Sequence, residues 1–324
     1  MPADDPRKVD GRAAAAPRLP GLMIVPRPLR RHLQRQIVTL LSRSAPAADY
    51  DAPVGDAGLF GPESCTWKIH ADFPSMMAGG LAALMLQSLH PLALAGVWDH
   101  SAFRTDILGR LRNTTAFVSR TTYAPRAAAE AAIARVLDIH HGVRGVAADG
   151  RAYSADDPHL LNWVHCAECW SFLQAYQTYC HAGIPLAQQD RYLVEMARIA
   201  EALGARAVPK SRAELDAFFR AARPELVFDE RVREVLRVLR SMRLPIALAG
   251  VSRNVFIGAA AVLLPDWALT LMGRTPLERL RDRAAARVLQ LAAPSIRGAV
   301  AEGGLAWRAC RRTGADYEGL FRWD

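Results

Sequence analysis

FPSMMAGGLAALMLQSLHPLALAGVW, residues 73–98, contains no Asp, Glu, Lys or Arg. An apolar run of about 20 residues is enough to span a bilayer, so this stretch decides between a membrane segment and a buried helical wall. Gln87, His90 and Pro91 favour the wall. Proline breaks the helix in its middle, and the amide and imidazole need partners that hydrocarbon does not supply. The stretch then runs into Asp99-His100-Ser101, which returns polar chemistry to its end.

The rest of the 324-residue chain fits a helical globule, with 51% hydrophobic and 23% charged residues. That composition excludes a wholly disordered chain. A second apolar stretch, Ile246 to Leu264, is interrupted by Arg253 and Asn254 and reads as a buried or interfacial helix. The net charge of +9 comes almost entirely from arginine, since the lysines are Lys8, Lys68 and Lys210. Arg27, Arg30, Arg31 and Arg35 could touch an anionic surface, but no aromatic interleaving or nucleic-acid signature accompanies them. No nucleic acid and at most peripheral membrane contact are expected. Five cysteines form no disulfide framework, and Cys166-x-x-Cys169 lacks a second pair at zinc-ribbon spacing. Met1 to Pro20 has no apolar signal-peptide core. The cysteines and this N-terminus together lead to the expectation of a reducing cytoplasm.

Helical periodicity extends over most of the chain. A basic helix is expected over 28–44, a loop over 45–65 and a helical region over 76–97 broken around Pro91. A helix capped by Asp106 runs to Arg120, and another opened by Pro125 runs to Val143 and is stopped by Gly145. Asp149-Gly150 marks a turn, and Asp156 or Asp157 starts a helix from Pro158 to His181. Further helices are expected over 186–203, 211–222, 229–241, 246–263 and 276–312, with no persistent period-2 pattern.

Three helical stripes carry polar chemistry. Ile133, Val136, Leu137, His140 and Val143 share a face, which turns His140 inward and His141 away. Arg110 and Thr114, four apart, share the inward face of Ile107, Leu111, Phe117 and Val118. A buried arginine needs an acid, a carbonyl or an anionic ligand, and Asp99, Asp106 and Glu168 are the acids within consideration. His165, Glu168 and Cys169 lie on one side of the Pro158 helix, where His165 and Glu168 could bond each other.

Five ordered motifs carry a resemblance: LQSLHPLALAGVWDHS (86–101), GRLRNT (109–114), H-x-x-V-R-G (140–145), YSADDP (153–158) and WVH (163–165). Over roughly residues 60–270 the chain resembles the MpaB/rubber oxygenase family. The resemblance implies an all-α, multi-helical fold with a globin-like core around haem b, and dioxygen chemistry at its iron. It implies that His140 is the proximal iron ligand and that Arg110 and Thr114 lie on the distal side; His90 and His100 are further inward candidates that either face the cofactor or satisfy backbone groups. Two departures stand out. Asn113 occupies the place of a distal lysine of the rubber-cleaving branch, and the acid proposed there upstream of the arginine has no counterpart nearer than Asp99 or Asp106. Polyisoprene cleavage is therefore not expected.

The resulting expectation is a basic lead-in and helix (1–50), an oxygenase domain (51–270) and a C-terminal helical extension packed on it (271–324). The function expected is a haem-dependent oxygenase using dioxygen on an apolar terpenoid, lipid or polyene-like molecule, its electron donor unnamed. A non-catalytic haem sensor or carrier, and a haem-free helical protein docking on anionic membrane, are the alternatives.

Overall fold

The computed structural model describes residues 50–242 and 249–323. The expected lead-in, the helix over 28–44 and Arg27, Arg30, Arg31 and Arg35 lie outside the described residues. Apart from two short strands, the regular structure is helical, so the fold is all-α. The chain runs α1 (Cys65–His70), α2 (Phe73–Gln87), α3 (Pro91–His100), α4 (Ile107–Tyr123) and α5 (Arg126–Gly142). A hairpin of β1 (Arg144–Val146) and β2 (Ala152–Ser154) follows, then α6 (Pro158–Tyr179), α7 (Leu186–Ala202), α8 (Arg212–Ala222) and a 3-10 turn (Arg223–Glu225). The last part holds α9 (Glu230–Ser241), α10 (Ala249–Val262), α11 (Asp266–Leu271), α12 (Pro276–Val300), α13 (Leu305–Thr313) and a 3-10 turn (Glu318–Phe321).

Short polar side chains set where these helices begin. Ser64, Asp72, Asp106, Asp157, Ser211, Asp229 and Thr275 each accept a hydrogen bond from a first-turn backbone N–H, which would otherwise be unpaired. The N-terminus of α1 gains a second acceptor, because the buried Glu195 of α7 takes hydrogen bonds from the backbone N–H of Cys65 and Thr66 and from the Thr66 hydroxyl.

The uncharged stretch becomes two helices. Pro91 opens α3 with His90 as its N-cap, and the axes of α2 and α3 differ by 106°. No single helix among the described residues is long and apolar enough to cross a membrane. Instead α2 packs against α6, α10 and α12. Helices α2 and α6 approach closely at Gly79, where an added Cβ would lie 2.9 Å from Phe172 Cδ1 and 3.0 Å from the Ser171 carbonyl. At the head of α2, the buried Asp72 both caps the helix and pairs with Arg297 of α12, which also donates to the Tyr179 carbonyl.

Several expectations are corrected. Helix α1 begins at the end of the expected loop, and α11 fills the gap before residue 276. The helix from Pro125 stops at Gly142, while Gly145 lies in β1, because the chain turns extended to make the hairpin. The expected helix 276–312 is two helices: Gly303, with φ of 80°, turns the chain in a left-handed conformation and Gly304 caps α13. The predicted His165–Glu168 bond gives way to a contact between His165 Nε2 and Cys169 Sγ at 3.5 Å, one full turn along the helix.

Candidate functional site

Helix α4 departs from an ordinary amphipathic helix. Only its last turn, Thr121 to Tyr123, is buried, and from Ile107 to Arg120 every residue except the exposed Asn113 is half-buried. A helix of this kind usually closes one face and exposes the other. Ile107, Phe117 and Val118 rest against the main core, as do the half-buried Met76 and Leu84 of α2, Ala93 and Val97 of α3 and Val164 of α6. The link Ala124-Pro125 then returns the chain as α5 packed on α4. Burial on α5 stops at Ile133, and Val136, Leu137 and His140 are only half-buried, whereas His141 is exposed.

The two ends of this helix pair carry the polar groups expected from sequence. Arg110 Nη1 donates to Ser101 Oγ at 3.1 Å. The expected acids are engaged elsewhere: Asp106 caps Gly109, and Asp99 accepts a 2.6 Å hydrogen bond from Tyr153 OH. Burial with no compensating carboxylate pulls the Arg110 guanidinium below its ordinary pKa. Thr114 donates its hydroxyl hydrogen to the Arg110 carbonyl at 3.2 Å, which leaves its oxygen free to accept. At the end of α5, His140 Nδ1 is buried without a hydrogen-bond partner. Burial outweighs the opposing pull of Asp156 and keeps this imidazole below its ordinary pKa, hence neutral at pH 7.

Asp99-His100-Ser101 is the joint of the corner. Asp99 holds Tyr153 of β2, Ser101 holds Arg110 of α4, and the exposed His100 places Nε2 3.2 Å from the Arg144 carbonyl of β1. Gly145 makes the joint possible: it faces Tyr153 across the hairpin, and a Cβ there would lie 2.5 Å from the tyrosine oxygen. The glycine of H-x-x-V-R-G and the tyrosine of YSADDP are thus one cross-strand contact. Tyr153 had no role in the sequence reading, because its partner Asp99 is distant in the chain and only the hairpin brings them together.

The remaining histidines divide by environment. His70 is a satisfied structural group: Thr122 Oγ1 donates to the Val118 carbonyl and lies 2.9 Å from Nδ1, and Tyr192 OH lies 3.0 Å from Nε2. Burial pulls its pKa down to about 3. His165 is likewise buried and held down to about 4. His90 is fully buried beside Glu225, which also meets His159.

A family model described as ER-bound oxygenase mpaB/B'/Rubber oxygenase, catalytic domain, matches residues 67–313, most of the chain and all of the corner just described. The chain belongs to this family. Comparison with curated proteins and with solved structures gives no match. Membership in the mpaB/rubber oxygenase family makes an oxygenase, and therefore an oxidoreductase using dioxygen, the class of activity.

The residues of the corner suit a haem. His140 offers a neutral imidazole whose Nδ1 is unpaired, and Arg110 has donors beyond the one given to Ser101 for an anionic group such as a propionate. Asn113, at the place of the rubber branch's lysine, is exposed. Ile107, Phe117 and Val118 give α4 apolar side chains beside its polar groups.

Proposed function

We propose that the chain is a haem-dependent oxygenase of an apolar substrate, in which His140 would hold the haem iron and Arg110 and Thr114 would be the polar groups near the reaction. The observation that carries this reading is α4, a helix half-buried along its first three turns with an arginine that no acid neutralises. Haem, when bound, supplies the dioxygen-activating chemistry. Arg110, held in place by Ser101, keeps a positive charge where anionic character is stabilised. Thr114 can accept or turn to donate a proton at the same face. The apolar residues of α4, Ile107, Leu111, Phe117 and Val118, favour a terpenoid, lipid or polyene-like substrate. His90 and His100, turned to Glu225 and to the Arg144 carbonyl, are not required in this arrangement.

The test is the absorption spectrum of protein expressed with ample haem, beside His140→Ala. A Soret band in the wild type that is lost or shifted in the variant is the expected result. An unchanged band in the variant removes His140 from the iron, and colourless wild type removes haem. Oxygen uptake with alkene-bearing lipids then separates turnover from carriage, with Arg110→Ala expected to lower uptake about 100-fold while the Soret band remains.

A further inference from the structure

Away from the α4 and α5 corner, three side chains converge from three separate segments. His90 is the N-cap of α3, His159 sits in the first turn of α6, and Glu225 ends the 3-10 turn after α8. His90 Nε2 is 3.5 Å from Glu225 Oε2, and His159 Nε2 is 3.1 Å from Glu225 Oε1. One donor atom from each residue lies within 4.8 Å of the others. Nitrogen and oxygen ligands around a tetrahedral ion at about 2.0–2.1 Å are spaced at roughly 3.4 Å, close to the 3.5 Å and 3.1 Å separations of the two imidazoles from the carboxylate.

His90 supplies an independent observation. It is 0% exposed, yet neither ring nitrogen has a hydrogen-bond partner. Buried polar groups are rarely left so, and an ion between His90 and Glu225 gives Nε2, the nitrogen that faces the carboxylate, the partner it lacks. His159 and Glu225 are 46% and 37% exposed, so the outer side opens to water. The frame is fixed by the backbone, where Val227 N–H donates to the Leu89 carbonyl at 2.9 Å. Trp163 beside His90 and Phe218 beside His159 give the imidazoles an apolar flank.

We propose that His90, His159 and Glu225 form a Zn2+ site, with water completing the coordination, that pins the His90-Pro91 corner to the start of α6 and to the 3-10 turn. Two imidazoles and one carboxylate suit zinc, as they also suit ferrous iron, whereas Mg2+ and Ca2+ take oxygen sets. The site stands apart from the haem reading and does not depend on it.

Equilibrium dialysis of the tag-free full chain against Zn2+ alone, with metal content measured on the protein, tests this directly. Stoichiometric zinc is expected in the wild type and in the control His181→Ala, and loss of it in both His159→Ala and Glu225→Gln. The wild-type Tm should rise on adding Zn2+, and neither variant's should. Both substituted side chains are partly exposed, so each variant keeps its packed core. Wild type without stoichiometric zinc, or retention of zinc by either variant, overturns the site.

Discussion

Burial pushes the Glu168 carboxyl up to about 7, with no charged or hydrogen-bonded group offsetting the desolvation. Its ordinary value is 4.5. The folded protein therefore holds this proton more tightly than the unfolded chain. Its stabilising effect is complete below 4.5, declines as pH rises toward 7, and is gone above it. Glu168→Gln should remove that decline, leaving the variant about 1–3 kcal/mol more stable than wild type at pH 8 and about equal at pH 4.5 in urea unfolding. A wild-type advantage at pH 8 would contradict it. Periodicity located Glu168 on its face, as it separated His140 from His141, because 100° per residue fixes direction. It could not say that Glu168 has no partner or that Ser101 meets Arg110, since both depend on which distant element lies opposite.

At the scale of elements, the β1 and β2 hairpin connects the end of α5 to the end of α3. Tyr153→Phe deletes the hydrogen bond to Asp99 and should cost about 1 kcal/mol while speeding amide exchange in residues 144–154. Gly145→Ala should displace the Tyr153 ring and produce the same exchange pattern, because the new methyl occupies the position of the ring's edge. If exchange in the hairpin stays at the wild-type rate in both, Tyr153 is not its anchor. Strands of three residues are too short to show alternation, which is why the hairpin is not legible in the sequence. The break between α12 and α13 escaped for a related reason: two adjacent glycines carry no apolar phase, and the stripe resumes beyond them.

At the scale of the molecule, the pair of Asp72 and Arg297 ties the first long helix to the last one. Arg297→Ala leaves a buried carboxylate without its counter-charge and should cost about 3–5 kcal/mol, read as a fall in the denaturant midpoint. A change below about 1 kcal/mol would mean water replaces the arginine. The all-α fold was legible from composition and helical phase, and the reading of residues 73–98 as wall was legible from Gln87, His90 and Pro91. The ion pair was not, because its members are 225 residues apart in the chain and neither lies in a motif.

That separation has a bearing on how the protein is made. Helix α2 is synthesised as an uncharged strip before α10, α12 and the cation for its cap are translated. Until they emerge, the apolar faces that α10 and α12 cover in the folded protein stay uncovered.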